Sequence, residues 1–246
     1  MKQLVCISKT PETTTKIKLT GDGSALDQNG VNFILNPYDE WYALVRAIEL
    51  KEAIGGTVTV VNVGDASNDV VIRKALAIGA DDAARLDIAP ENAMSVAKVI
   101  ADYAKSDSFD IIYCGKESID FNGSQVGAMI AEYMDLAYVG LGMNMEVEGN
   151  TATIQRDIEG GAETVKVNTP FVLSCAKGMA EQRIPNMRGI MMSKRKPLEV
   201  ISSEGGSGKT NIHSYKLPED KGAITMIDPD NMEELVRLLK EEAKVL

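Results

Sequence analysis

The chain of 246 residues carries 36 acidic against 26 basic side chains, a net charge of −10 that opposes non-specific binding to a polyphosphate and argues against nucleic acid as the main partner. Its length suits one large α/β domain, or a domain with an extension, and allows a substantial core without a disulfide scaffold. The single histidine, His213, rules out metal sites built from several histidines, and its polar surroundings after a glycine-rich stretch mark it as an exposed structural residue.

Cys6, Cys114 and Cys175 each sit in an apolar run, the pattern of buried free thiols in a reducing compartment. Met1 leads straight into KQLVCIS with no basic region, long apolar stretch or small-residue cleavage site. No apolar run approaches the roughly 20 residues that span a bilayer. The expectation is a cytoplasmic protein with no direct membrane insertion.

In chain order, QLVCIS is short and uniformly apolar, which is how a strand buried on both faces of a parallel sheet reads. The following TPETTTKIKLTGDGSALDQNG reads as irregular. Asn36-Pro37 precedes DEWYALVRAIELKEAIGG, where Ala43, Ala47, Ile48 and Leu50 recur near helical spacing and Gly55-Gly56 stops the helix. TVTVVNVG is a second strand. NDVVIRKALAIGA reads as a helix, AARLDI as a strand, ENAMSVAKVIADYAKS as a helix, FDIIYCG as a buried strand and SQVGAMIAEYMDL as a helix. This alternation predicts an α/β fold: a mostly parallel twisted sheet with right-handed crossovers and helices on both faces.

From residue 143 the pattern changes. MNMEVEGNTATIQRDIEGGAETVKVNTPFVLSCA alternates between turns at Glu148-Gly149-Asn150 and Gly160-Gly161 and predicts a β-meander of hairpins, added to the sheet or beside it. RGIMMSKRKPLEVI is basic and ends in a short apolar run. Residues 1–201 are therefore expected to form the α/β domain. Residues 202–246 are expected to be a separate extension, with 202–225 an exposed linker rich in Ser, Gly, Lys and Thr. DPDNMEELVRLLKEEAKVL then predicts an amphipathic C-terminal helix carrying Met232, Leu235, Val236, Leu238 and Leu239 on one side. Its apolar stripe needs burial, either on this body or on another chain.

EGGSGKT, residues 204–210, ends like a phosphate-binding P-loop. Such a loop needs glycine at its first position and a helix immediately after it, whose N-terminus faces the phosphates. Ser203 holds the first position, and NIHSYKLPEDKG has no helical stripe. The segment reads as the start of a tether, and an NTPase using Lys209 is not expected.

A stronger candidate is CGKESIDFNGSQVGAMIAEYM, residues 114–134. It follows a buried strand and offers Asp120, Asn122, Gly123, Ser124 and Gln125 before a helix. Backbone N–H groups and the helix dipole there suit an anionic group such as a phosphate; an ordinary capped turn has the same composition. Ligands of such sheets bind at the carboxyl ends of the strands. That edge should also collect Cys6 to Lys9, Asn62 to Gly64 and Asn36 to Asp39. An adenine ring could lie against Val63 and a phosphate against the loop at 122–126.

NPYDEWYALVRAIELKE, KALAIGADDAARL, GKESIDFNGSQVG, RDIEGGAETVKVNTPFVLS and RIPNMRGIMMSKRKPLEV, in this order and spacing, resemble the beta subunit of electron-transfer flavoprotein. The resemblance runs from residue 1 to about residue 201. It implies a Rossmann-type fold of the adenine nucleotide alpha hydrolase-like class with a C-terminal helical arm. It also implies an electron carrier with no catalytic residues of its own and no metal site. In that family the alpha subunit holds most of a redox-active FAD, and the beta subunit covers part of it and buries an AMP. Electrons pass from dehydrogenases, typically acyl-CoA dehydrogenases of fatty acid oxidation, to a membrane-bound quinone oxidoreductase. Carried over by position, the AMP site is Cys6, Asn36, Pro37, Tyr38, Asp39, Val63, Gly115, Asp120, Asn122, Gly123, Ser124, Gln125 and Val126.

Glu163 matches a carboxylate that pairs with the alpha subunit; a solvated hairpin charge is the plain alternative. Arg183 to Met192 match the loop that recognises dehydrogenases, with Met187 at the anchor position, usually leucine, and Arg183 and Ile190 beside it. Phe121-Asn122-Gly123-Ser124 departs from the Gly-Asp-Thr run of electron-bifurcating members, whose crevice holds a second FAD in place of AMP. The bulk of Phe121, where those members have glycine, points to AMP. A stand-alone adenine-nucleotide sensor using the same crevice is the alternative from another class.

Overall fold

The computed structural model describes residues 1–204, 208–219 and 222–246. Gly205, Gly206 and Ser207 of the EGGSGKT stretch, and Asp220 and Lys221 of the expected linker, lie outside the described residues.

The uniform apolar runs become central strands. β1 spans Lys2–Cys6, and a small antiparallel pair follows, β2 (Lys9–Pro11) with β3 (Phe33–Leu35), inside and just after the stretch read as irregular. Three-residue strands are too short to show periodicity. α1 (Asp39–Ile54) ends at Gly55, where φ is +81°. At Gly56 a Cβ would lie 1.9 Å from the Met1 carbonyl oxygen, so only glycine lets the chain pass so close to the start of β1. β4 (Thr57–Val63), α2 (Asp69–Ile78), β5 (Asp82–Asp87), α3 (Ala93–Lys105), β6 (Ile111–Gly115) and α4 (Val126–Met134) continue the expected alternation. α3 starts on a reciprocal cap between Asn92 and Ser95.

β7 (Ala137–Glu148), β8 (Thr151–Ile158) and β9 (Gly161–Asn168) form the expected antiparallel hairpins, although β7 begins earlier than residue 143. β10 (Phe171–Cys175) differs from the expectation. FVLSC read as part of the meander, yet it is a parallel strand inserted between β6 and β7. α5 (Met187–Ser193) is a short helix where a loop was expected, and β11 (Leu198–Ser202) pairs in parallel with β5 at the sheet edge.

The nine-stranded sheet has the order β11-β5-β4-β1-β6-β10-β7-β8-β9. α1 and α2 cover one face, with Leu44, Ile48, Ile72 and Leu76 packed on Val5, Val58, Tyr113 and Phe171. α3 and α4 cover the other, with Ile100 and Ile130 packed on Leu4, Val61, Ile112 and Val172. Burial on both sides is why these strands lack alternation, and each fully buried Leu or Ile contributes about 1.5–3 kcal/mol. Cys6, Cys114 and Cys175 are free and buried, as expected.

The chain divides into two compact units: Met1–Ile17 with Asp27–His213, and Lys18–Leu26 with Ser214–Leu246. Within the second, the Tyr215 N–H donates to the Gly23 carbonyl at 2.8 Å, and α6 (Met232–Arg237) continues as one wider turn, Leu238–Glu242. The α-helix is thus shorter than the sequence predicts, and none of its residues is buried.

Candidate functional site: the crevice at the sheet's switch point

β1 lies between β4 and β6. The chain leaves β1 for α1 on one face of the sheet and leaves β6 for α4 on the other, so the winding reverses between the two strands. At such a reversal the loops beyond the carboxyl ends diverge and leave a crevice. Cys6 ends β1, Val63 ends β4, Gly115 ends β6, and Asn36 to Asp39 lead into α1.

Asn36 is fully buried and clips two of these segments together. Its Nδ2 donates to the Glu117 carbonyl at 3.2 Å, its Oδ1 accepts from the Ile119 N–H at 3.1 Å, and its own N–H donates to the Ser8 carbonyl at 3.0 Å. A buried amide with both ends satisfied fixes the distance between the segments. Asn62 and Asn68 do the same beside β4: Asn62 Nδ2 donates to the Ile7 carbonyl at 2.9 Å and Asn68 Nδ2 donates to Asn62 Oδ1 at 2.8 Å.

Glu40 is the crevice residue that sequence reasoning missed. An acidic residue in a first helical turn reads as a complement to the helix dipole, and nothing in the sequence shows that it turns inward. Glu40 lies under the crevice, where Oε2 accepts the Ser8 N–H and Oε1 the Ser8 hydroxyl, each at 2.7 Å. Burial pushes its carboxyl up to about 8, against the opposing Ser8 hydrogen bonds. Burial thus favours the neutral carboxyl over the carboxylate at this position. Gly115 is needed next to it, because a Cβ there would come within 2.8 Å of the Glu40 backbone nitrogen.

The loop from Lys116 to Gln125 forms the far wall. Asn122 and Ser124 both have left-handed backbone, φ +48° and +50°, a conformation that alternates amide directions. Glu117 steadies it: its carboxylate accepts from the Ser124 hydroxyl at 3.1 Å and pairs with Lys116 at 3.0 Å. The Lys116 hydrogen bond holds the Glu117 carboxyl below its usual range. Gln125, the residue before α4, makes no side-chain cap. The N–H groups of Val126, Gly127 and Ala128 at the first turn therefore have neither a helical partner nor a side-chain cap. Asp120 is exposed, and a Cβ at Gly123 would meet nothing within 4 Å.

On the β4 side, Val63, Ile88, Val96 and Val99 form a shallow apolar depression. Tyr38, with φ +65°, stands exposed at the start of α1. With Pro37, Asp39, Tyr42, Lys116 and Lys177 it lines a recess of about 240 Å³. The Cys6 thiol is held protonated, first by its hydrogen bond to Cys114 and then by burial, so it is no nucleophile. Among the described residues no group of His, Cys, Asp and Glu could hold a metal ion, and no helix is long and apolar enough to cross a membrane. No helix follows Gly208 before α6 among the described residues, so the P-loop pattern lacks the helix it requires.

The family profile described as Electron transfer flavoprotein domain matches residues 24–204. The chain is 34% identical to electron transfer flavoprotein subunit beta of Bacillus subtilis over the whole of both chains. It is 36% identical to that of Syntrophomonas wolfei over 94% of this chain and 91% of the other, and 29% identical to that of Homo sapiens over 100% and 99%. This chain belongs to the electron transfer flavoprotein beta-subunit family. Members are electron-carrier subunits of a flavoprotein and pair with an alpha subunit.

As an electron transfer flavoprotein beta subunit, the chain has its expected partner residues outside the crevice. Glu163 lies on β9 in register with Arg156 of β8, and their charges are 3.7 Å apart. Arg183 is engaged within the chain by a two-pronged pair with Glu52 of α1, at 2.8 and 3.0 Å. Met187 and Ile190 lie on α5, with Met187 74% exposed and Met191 69% exposed beside it.

Proposed function

We propose that this chain is the beta half of a heterodimeric electron-transfer flavoprotein that covers part of an FAD held mainly by its alpha subunit and keeps an AMP in the switch-point crevice. The complex passes electrons in the cytoplasm from acyl-CoA dehydrogenase-type donors towards a membrane-bound quinone oxidoreductase. The observation that carries the nucleotide reading is the Asn36 clip, which ties the α1 approach to the loop after β6, ahead of a helix α4 whose first turn has no side-chain cap. Gly123 to Val126 would take the phosphate, while Cys6 and Val63 would line the adenine end, with Asn36 to Asp39 and Gly115 to Asp120 framing the opening. FAD supplies the redox chemistry in the partner's half; the residues of this chain bind, orient and exclude water. Residues 202–246 serve as the partner-binding arm, since Met232 and Val236 leave an apolar face uncovered.

Co-expression with the alpha subunit, followed by extraction and counting of nucleotides, tests this. One FAD and one AMP per yellow heterodimer is expected; a colourless complex refutes the proposal. A second reading has one observation in its favour. Phe121 is 64% exposed at its loop, so its bulk does not fill the crevice, and a second FAD could replace AMP as in bifurcating members. Two FAD and no AMP in the same count would establish that reading. A nucleotide-loaded monomer would support the stand-alone sensor instead.

A further inference from the structure

The exposed methionines of α5 sit on a segment that packs along α2 and is tied to α1 at its front end. At its front, the indole Nε1 of Trp41 donates to the Arg183 carbonyl at 3.2 Å, and the Arg183 guanidinium grips Glu52 through both carboxylate oxygens. Asn186 caps the helix through the Gly189 N–H at 2.8 Å. At its back, Arg73 Nη1 donates to the Ser193 and Lys196 carbonyls, each at 2.7 Å, and satisfies groups that a helix end leaves open. α5 lies so close to α2 that a Cβ at Gly189 would come 2.4 Å from the Ala77 carbonyl oxygen.

Trp41 is built to hold its end rigidly. It is 5% exposed within the core under α1, and the ammonium of Lys74 lies 4.7 Å above its ring. Its side chain has one polar atom, and that atom points at the backbone of the segment carrying Met187. Arg183 and Glu52 meet in the fork geometry that makes an exposed ion pair worth having. Ile184 and Met187, immediately downstream, have almost no support of their own, at 80% and 74% exposed. α2 holds the body of α5, and the two tethers to α1 hold the approach that carries Ile184 into Met187.

We propose that Trp41 and Glu52 are positioning residues for dehydrogenase docking: they hold Arg183, through its carbonyl and its guanidinium, so that α5 presents its methionines in one orientation. This rests on the reading of α5 as the docking element. An apolar anchor that is already ordered loses less conformational entropy on binding, so loosening it weakens association without changing the chemistry that follows.

The experiment uses the purified heterodimer as acceptor for an acyl-CoA dehydrogenase reduced by its acyl-CoA. Trp41→Phe keeps an aromatic ring and removes the N–H; Glu52→Ala removes the surface tether and leaves the core intact. Each is expected to raise KM for the flavoprotein about threefold to tenfold, the scale of one lost hydrogen bond, with kcat and FAD content unchanged. Amide exchange over residues 184–193 should quicken in the same variants. Met187→Glu separates the two ideas. If it raises KM while Trp41→Phe and Glu52→Ala do not, positioning by α1 is overturned and docking through α5 stands. If Met187→Glu leaves KM unchanged, the docking reading fails and this inference with it. Should Trp41→Phe not fold, Glu52→Ala alone decides, and an unchanged KM there overturns the proposal.

Discussion

Asn36 and Ile119 are joined side chain to backbone across the mouth of the crevice, with Asn36 Oδ1 accepting from the Ile119 N–H at 3.1 Å. The same amide donates to Glu117, so one buried side chain sets the gap between the α1 approach and the loop after β6. Replacing it with alanine leaves two part-buried backbone groups without their partner, at a cost that access of water brings below the roughly 1–3 kcal/mol of a fully buried group. Asn36→Ala is expected to lower the melting midpoint by several degrees and to strip the extracted complex of AMP. Retention of a full nucleotide complement would show that the clip is not what shapes the site.

Two glycines of the crevice should respond in opposite ways. At Gly115 an added methyl meets Glu40 at 2.8 Å, contact with backbone that cannot move without shifting the start of α1. Gly115→Ala is expected to destabilise the chain by about 1–3 kcal/mol, the usual cost of overpacking. At Gly123 the space is open, so Gly123→Ala should fold normally, while Gly123→Trp should fold and lose nucleotide. Denaturant titration measures the first and nucleotide extraction the second.

Much of this could be read from residue order. The long, strongly patterned elements fell where expected: α1, α3 and the central strands β1, β4 and β6. β10 did not, because FVLSC follows three alternating strands and was grouped with them. Its five consecutive buried residues mark a strand covered on both faces. α5 escaped because Gly189 interrupts a short apolar run, although Asn186 is a recognisable cap. In the crevice the segments were legible because strand ends must converge in a parallel sheet. The burial of Glu40 was not, since it depends on Ser8 arriving from 32 positions away.

Lys209 tests the discarded phosphate loop. It is exposed, and no helix follows it before α6 among the described residues, so no helix dipole backs it there. Lys209→Ala is expected to leave nucleotide content, FAD content and electron transfer unchanged. A loss of bound nucleotide in that variant would reopen the NTP-binding reading.

Glu40 gives the pH dependence its sign. Its carboxyl is raised from 4.5 to about 8 by burial, so between those values the folded chain holds a proton that the unfolded chain has released. The stability this proton contributes is complete below pH 4.5 and is lost as pH rises through 8. The slope from one group is at most about 1.4 kcal/mol per pH unit. Asp39 is also raised by burial, so the wild-type curve alone would mix the two. The difference between wild type and Glu40→Gln isolates the first, because glutamine keeps the shape and cannot ionise. Relative to wild type, Glu40→Gln should gain stability steadily from pH 5 to pH 8 and level off above it. Unfolding midpoints measured for both proteins across that range check the prediction. Parallel curves would mean that Glu40 stays ionised in the folded chain, held so by the Ser8 N–H and hydroxyl, and that an anion in the crevice meets a negative charge beneath it.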